Sequence, residues 1–148
     1  MPRRVLENKG TALVEFSIVA ILLLVLAFGV IEMGFLMKDY LTLNQAAREG
    51  ARSAALGWST TMIKQRVQSA AVGMTVVIDD IHLIKWPEGT TPPTDWSSWL
   101  PLGDGSVYND AAAGDYVRTH VEYEHRWITK IILSAPIKIK SDMVMRRE

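Results

Sequence analysis

The chain has 148 residues, the length of about one domain, and it contains no cysteine. Without cysteine, a disulfide framework, thiol catalysis and every cysteine-based metal site are excluded. Sixteen basic and sixteen acidic side chains give a formal net charge of zero, which argues against nucleic-acid binding because proteins of that class usually carry a basic excess.

One apolar run dominates the sequence. Residues 12–37 read ALVEFSIVAILLLVLAFGVIEMGFLM, and 21 of these 26 positions are hydrophobic. A helix of roughly 20 residues crosses a hydrocarbon core about 30 Å thick, so the sequence predicts a transmembrane helix over residues 11–37. One alternative is a helix buried in a soluble domain, for which the run is unusually long. The other is a cleavable secretory signal, but the apolar core of such a signal has only about 7–15 residues and is followed by a small-x-small site.

The charges on either side of the run predict its orientation. Residues 1–10 hold three basic residues and one acidic residue, whereas Lys38 is followed directly by Asp39. The positive-inside rule therefore predicts a cytoplasmic N-terminus and places residues 38–148 outside, in a periplasm or the extracellular space. The expected location is the inner (cytoplasmic) membrane, which the chain spans once.

An acidic residue, Glu15, lies four residues into the apolar run, where a charge is costly. One interpretation is that it marks the cytoplasmic interface. The other rests on its neighbours, because a basic leader is followed by Gly10, four residues, Glu15 and then Phe16. This pattern resembles the processing site of Flp pilins and pseudopilins, in which a prepilin peptidase cuts after the glycine. The resemblance implies a leader over residues 1–10, a new N-terminus at Thr11, and a role for Glu15 and Phe16 in processing and subunit assembly.

A second acidic residue, Glu32, falls near the outer end of the same run. Water is close there, so the sequence favours an interfacial carboxylate over a buried functional charge. Gly29 and Gly34 flank it, but their spacing is not that of the GxxxG helix-pairing motif.

Beyond the membrane the sequence predicts that the helix continues to a C-cap at Gly57. Small or apolar residues recur at spacings of three and four, which is typical of an amphipathic helix; they are Leu36, Tyr40, Leu43, Ala47, Ala51 and Ala54. The polar faces hold Lys38, Gln45, Arg48, Glu49 and Arg52. Glu49 and Arg52 are predicted to form an i,i+3 pair. Small residues at every fourth position predict the close approach of another helix or a sheet.

The same region makes the resemblance more specific. The strings E-F at the membrane entry, I-E-M-G-F at its exit and N-Q-A-A-R-E-G-A-R-S-A-A beyond it are similar to the TadE-like family. The resemblance covers residues 11–57, and the ending MVMRRE also resembles the M-R-x-E ending of many members. The residues of the motif that follows the membrane helix are Ala47, Arg48, Glu49, Gly50, Ala51 and Arg52. The alternative for Arg48, Glu49 and Arg52 is that these charged side chains have no specific function and only solvate one face of the helix.

The resemblance implies a pseudopilin or minor pilin of a Tad (Flp) pilus or related secretion system, with a function in pilus assembly, adherence or secretion. The implied partners are the membrane, a prepilin peptidase, other pilins or pseudopilins, and Tad assembly proteins. A pilus is then a further expected location. No cofactor, nucleic acid or small-molecule substrate is expected.

Residues 38–148 are predicted to form a small α+β module. After the continued helix, a second helix capped by Ser59 or Thr60 is predicted to run to about Ala71, and Gly73 ends it. Three β-rich segments follow, at residues 75–86, 115–127 and 137–145. They predict an antiparallel sheet packed under the outer helix, which is a pilin-like architecture.

A long loop, residues 87–114, separates the first two strands and holds Trp96, Trp99 and Tyr108. Trp96 and Trp99 make it a candidate partner-binding loop, because exposed tryptophans anchor protein or carbohydrate partners. The alternative is that these aromatic side chains fold back and pin the loop to the domain.

No catalytic, cofactor-binding or metal-binding constellation is predicted, and the sequence favours a protein that is not an enzyme. His120 and His125 fall on opposite faces of one strand, which disfavours a shared metal site, and no P-loop, GxSxG or HExxH motif is present. Asp79 and Asp80 are predicted to form a solvated strand break. The alternative functions are a permanently membrane-tethered exterior binding module that is not built into a fibre, and a membrane-tethered enzyme.

Overall fold

The computed structural model describes residues 4–105, 108–130 and 134–148, with the backbone alone for residues 4–9 and 96. The chain divides into two compact units. The helical unit contains the chain up to residue 36 together with the described parts of 126–136, and the sheet unit contains the described parts of 37–125 and 137–148. The described residues form two α-helices, two short 3-10 helices and a four-stranded antiparallel sheet, so the predicted α+β class is confirmed.

Helix α1 runs from Arg4 to Ala55, and its residues up to Leu36 lie in the helical unit. It contains an 18-residue window of mean hydropathy 2.8, none of which is buried. Large apolar side chains are exposed on every side of the helix, as for Phe16 at 70% and Leu24 at 56%. Such a helix is long and apolar enough to cross a membrane, as the sequence predicts.

The end of α1 and the whole of helix α2 follow the local capping chemistry of the sequence. Gly57, at φ +85°, donates its N–H to Ala54 O while Trp58 N donates to Ser53 O, which is a Schellman motif. Helix α2 spans Thr60–Ala70, and the hydroxyl of its N-cap Ser59 accepts a hydrogen bond from Met62 N. The predicted C-cap of α1 and the predicted second helix are both confirmed.

The sheet has the strand order β2-β1-β3-β4, with every neighbouring pair antiparallel. The strands are β1 (Ile81–Trp86), β2 (Leu100–Pro101), β3 (Tyr116–His125) and β4 (Ile137–Arg146). The prediction of a strand over all of residues 75–86 is wrong at its start. Ile78–Asp80 form a short 3-10 turn, in which Asp80 N donates to Val77 O, so the two aspartates precede strand β1 and do not interrupt a strand. The sequence also missed β2, which is two residues long and contains a proline that cannot donate to a ladder.

The core of the sheet unit is formed by the end of α1, by α2 and by one face of the sheet. Its buried side chains include Leu43, Ala46, Ala47, Ala54, Ile63, Val67, Ile81, Leu83, Val117 and Val121. The predicted α1 stripe is correct from Leu43 onward, whereas Tyr40 is 44% exposed and Leu36 is only half-buried and lies in the helical unit. The stripe passes instead through Asp39, one helical turn before Leu43, and Asp39 is buried.

Candidate functional site

The residues of the predicted processing site lie on one exposed stretch of α1. Gly10, Thr11, Glu15 and Phe16 are all exposed and all helical. A Cβ placed on Gly10 would meet no atom within 4 Å among the described residues. Packing in the described fold therefore does not explain why position 10 is a glycine. Helix propensity does not explain it either, because glycine destabilises a helix interior by roughly 1 kcal/mol relative to alanine.

The motif after the membrane helix divides into a buried side and an outer side. Ala47 and Ala51 are completely buried, and Gly50 lies between them on the same face. A Cβ on Gly50 would lie 2.5 Å from Val67 Cγ2 of α2 and 2.8 Å from Thr119 Cγ2 of β3. Gly50 is therefore a point of close approach of α1 to both the second helix and the sheet, as the spacing of small residues predicts.

The charged positions of the motif lie outside this contact. Arg48 and Arg52 are exposed, and Glu49 is half-buried at the edge of the helix pair. The predicted pairing of Glu49 with Arg52 is wrong in its partner, because Glu49 Oε2 accepts from Arg66 Nη2 of α2 at 3.2 Å. The close contact between α1 and α2 at Gly50 brings Arg66 within reach of Glu49. Periodicity along one helix cannot predict a contact with another helix.

Asn109 holds the C-terminal end of α1, although no local pattern in the sequence selects it. Its buried side-chain amide donates to Ala54 O and to Trp58 O, each at 2.9 Å, and its backbone N–H donates to Gly57 O at 2.9 Å. Arg147 Nη1 in turn donates to Asn109 Oδ1 at 2.9 Å. Arg147 belongs to the MVMRRE string, which resembles the M-R-x-E ending of the TadE-like family. That resemblance is the signal in the sequence that could have indicated a role for Arg147.

The structure favours the packing alternative for Trp99 of the candidate partner-binding loop. Its side chain is only 6% exposed, its ring centroid lies 6.2 Å from that of Trp86, and its Nε1 donates to Pro93 O at 3.0 Å. The guanidinium of Arg118 lies 5.5 Å from the Trp99 ring centroid, within the range of a cation–π interaction. The side chain of Trp96 lies outside the described residues, whereas Tyr108 is 60% exposed.

Polar side chains of β3 and β4 form a network on the sheet face opposite to the core. His120 Nδ1 lies 2.7 Å from Asp142 Oδ1, and Lys140 Nζ donates to Glu122 Oε1 at 2.6 Å. Hydrogen bonds from Lys140 and then from His120 lower the pKa of Glu122 to about 2, although its partial burial acts in the opposite direction. Glu122 is therefore ionised throughout the neutral range and serves as an acceptor for both strands.

The two histidines of β3 have different partners, as their alternation on the strand predicts. His120 faces Asp142 and Glu122, whereas His125 Nδ1 lies 2.8 Å from Asp39 Oδ2 of α1. Within the described ranges, no group of three or more His, Asp or Glu side chains is arranged to hold a metal ion.

Glu32 in the helical unit lacks the contact with water that the sequence favoured. It is 5% exposed, and its oxygens accept hydrogen bonds from Ile128 N at 3.1 Å, Thr129 N at 2.5 Å and Thr129 Oγ1 at 2.7 Å. The segment that covers it follows 96 residues later in the chain, so hydropathy near Glu32 contained no sign of this contact.

Over the described residues, these features define a class of protein with an N-terminal apolar helix long enough to cross a membrane and a small α+β unit that includes the last part of that helix. Residues 10–52 match the family model described as TadE-like protein, which confirms the resemblance found in the sequence. The match begins at Gly10 and ends at Arg52, so it contains both the predicted processing site and the motif around Gly50. No curated protein and no solved structure matches the chain.

Proposed function

We propose that this protein is a membrane-anchored TadE-like pseudopilin, cut by a prepilin peptidase after Gly10, that contributes to the assembly of a Tad (Flp) pilus and to adherence or secretion. The observation that carries the proposal is the family match over residues 10–52, which coincides with a helix apolar enough to span a membrane. In this proposal the N-terminus lies in the cytoplasm, and residues 38–148 lie in the periplasm or outside the cell.

The exposed glycine at the start of the apolar helix supports the processing step. Gly10 has no packing role among the described residues, and a residue without Cβ gives a protease unobstructed access to the backbone once the local helix opens. Hydrolysis of the Gly10–Thr11 peptide bond leaves a carboxylate on Gly10 and an ammonium group on Thr11. The loss of residues 1–10, with three basic residues and one acidic residue, leaves a mature chain of net charge −2.

The new ammonium group gives Glu15 a function in assembly. Thr11 and Glu15 are four residues apart on α1, one helical turn, so the ammonium of one chain can pair with Glu15 of the same chain or of an adjacent subunit. Such pairing offsets the cost of holding both charges among packed apolar helices. Phe16 and the other exposed apolar side chains of α1 then supply the contact surface with neighbouring pilins.

The proposed role is structural rather than catalytic. In the motif around Gly50, the small residues serve the packing of the chain itself, whereas Arg48 and Arg52 remain exposed on α1. These two guanidinium groups are the proposed contacts with other pilins, pseudopilins or Tad assembly proteins.

The test is the mass of the mature protein after co-expression with a prepilin peptidase of a Tad system. We expect the intact mass to fall by that of residues 1–10 and the new N-terminal residue to be Thr11. Gly10→Ala is expected to block or strongly slow the cut. The matched control is Gly34→Ala, because Gly34 also lies in α1 and a Cβ added there would meet no described atom within 4 Å; this variant is expected to be cut normally. Retention of Met1–Gly10 while a known pilin is cut in the same cells would contradict the proposal and favour a permanently tethered binding module.

A further inference from the structure

Residues 126–136, which connect β3 to β4, have the composition of a membrane-surface segment. Their sequence is RWITKIILSAP, in which six of eleven residues are hydrophobic, two are basic and none is acidic. Apolar segments with basic residues insert into the headgroup region of anionic membranes, because burial of the apolar groups and attraction to the lipid phosphates act together. The described parts of this segment belong to the helical unit, together with the first part of α1.

Glu32 holds the start of this loop against the apolar helix. Its two carboxylate oxygens accept the N–H groups of Ile128 and Thr129 and the hydroxyl of Thr129. Polar backbone groups that lack a partner are costly in an apolar environment. Because the carboxylate supplies these partners, the loop can enter a region of low dielectric constant without leaving the two N–H groups unsatisfied.

The position of Glu32 places the loop at a defined depth along the spanning segment. Glu32 lies five residues before the end of the predicted span at residue 37, which is roughly 8 Å along a helix. The start of the loop is therefore held beside the last turns of the apolar helix, at the level where hydrocarbon gives way to headgroups.

The loop exposes an apolar side chain, and so do the residues that flank Glu32 in α1. Ile128 is 60% exposed, and in α1 Ile31 and Met33 are 48% and 60% exposed. Trp127 is mostly buried, and its indole N–H donates to Ala135 O at 2.7 Å, so its polar atom has a partner inside the loop. The loop and the helix therefore both expose apolar side chains close in sequence to the residues that join them, Glu32 and Ile128.

We propose that the described residues of this loop, 126–130 and 134–136, form a second membrane contact in the outer headgroup region of the bilayer that α1 crosses. Ile128 lies in the lipid, and Arg126 and Lys130, both at least partly exposed, face the anionic headgroups. The occupant of this surface is lipid rather than protein, because the loop is hydrogen-bonded to the helix that is proposed to span the membrane and because it carries the charge that anionic lipid attracts. This inference rests on the membrane anchoring that is part of the proposed function.

The test uses the absence of cysteine, which permits a single reporter to be attached to the full chain. Ile128→Cys is labelled with an environment-sensitive fluorophore in vesicles of phosphatidylethanolamine and phosphatidylglycerol. Leu24→Cys, within the span, is the lipid control. Ile78→Cys is the matched water control, because Ile78 is an apolar side chain of the sheet unit with 49% exposure. Lipids that carry a spin-label quencher near the headgroup or near the chain end then report the depth of each site.

We expect the emission from position 128 to be blue-shifted as at position 24. Quenching at 128 is expected to be about twice as strong from the headgroup-side label as from the chain-end label, since interfacial segments lie roughly 5–10 Å deep; at position 24 the order reverses. A water-like emission at 128 that matches position 78, or a shifted emission without lipid quenching, overturns the inference while position 24 still reports lipid. If position 24 also reports water, the membrane anchoring itself is wrong.

Discussion

Asp39 and His125 form a buried pair that joins helix α1 to the end of strand β3: Oδ2 of Asp39 lies 2.8 Å from Nδ1 of His125, and the side chains are 11% and 3% exposed. Asp39 is the third residue of the sheet unit, so the pair fixes the helix to the sheet where the apolar run has just ended. A hydrogen bond between a buried charged group and its partner contributes more than a neutral one, and truncating one partner leaves the other with an uncompensated polar atom.

We therefore expect Asp39→Ala to lower the free energy of unfolding of the sheet unit by about 1–3 kcal/mol. Lys38→Ala is the matched control. Lys38 is exposed and its ammonium lies 3.6 Å from Asp39 Oδ1, so its loss is expected to change the stability by less than about 0.5 kcal/mol. The measurement is urea unfolding of the full chain in detergent, followed by near-ultraviolet circular dichroism. Equal stability of the two variants would show that the pair does not fix the helix to the sheet.

A second prediction concerns the crossing at Gly50. In an exposed helix, replacing glycine with alanine stabilises the helix by roughly 1 kcal/mol. At Gly50 the added methyl group would meet Val67 and Thr119 at 2.5 and 2.8 Å, and overpacking of this kind typically costs about 1–3 kcal/mol. We expect Gly50→Ala to be destabilising overall, by up to about 2 kcal/mol.

The same unfolding experiment separates this steric effect from a general effect of alanine in α1. Gly34→Ala adds a methyl group where no described atom lies within 4 Å and is expected to leave the unfolding of the sheet unit unchanged. If Gly50→Ala proves as stable as the wild type, the contact relaxes easily and the glycine of the A-A-R-E-G-A-R string must be needed for a reason other than packing.

Local sequence signals predicted the helices and the main strands because those elements depend on neighbours. Gly57 and Ser59 cap helices through hydrogen bonds within a few residues. The alternation along β3 and β4 follows from one face of the sheet packing against the core. The contacts that define the candidate sites are different. Asp39 with His125 and Glu32 with Thr129 join residues 86 and 97 positions apart. Hydropathy along the chain shows where each charge lies but not which residue it contacts. It therefore predicts only a charge that flanks the apolar run at Asp39 and an interfacial charge at Glu32.

A third prediction follows from the charge network on the outer face of the sheet. The pKa of Glu122 is lowered to about 2 from an ordinary value of 4.5, first by Lys140 and then by His120. A group whose pKa is lower in the folded state contributes stability above its unfolded pKa, and this contribution is lost as the pH falls toward the folded pKa. The stability contributed by Glu122 is therefore complete above about pH 4.5 and declines between pH 4.5 and pH 2.

We expect Glu122→Gln to lower the free energy of unfolding by about 1 kcal/mol at pH 7, a magnitude reduced by partial exposure to solvent. The difference from the wild type should shrink as the pH falls from 4.5 to 2. Glu124→Gln, an exposed substitution on the same strand, is the control and is expected to change stability little at either pH. A pH-independent difference between wild type and Glu122→Gln would exclude the ionised carboxylate as the source of the effect.

The last prediction separates processing from assembly at the N-terminal end of the mature chain. Glu15 lies five residues after Gly10 and one helical turn from Thr11. If its carboxylate pairs with the new ammonium group, Glu15→Gln removes the charge but keeps the size and the hydrogen-bonding capacity of the side chain. Because Gly10 is unchanged, we expect this variant to be cut at a rate close to that of the wild type. Because an ammonium group left without its partner among apolar helices is costly, we expect the recovery of the Glu15→Gln protein in sheared pili, or in the assembly complex, to fall by at least about tenfold.

Ser17→Ala is the control for this prediction. The Ser17 hydroxyl donates to Leu13 O of its own helix, so the recovery of the Ser17→Ala protein should be normal. Normal recovery of Glu15→Gln would mean that the glutamate does not pair with the terminus during assembly, whereas a block in cutting would assign Glu15 to recognition by the peptidase instead.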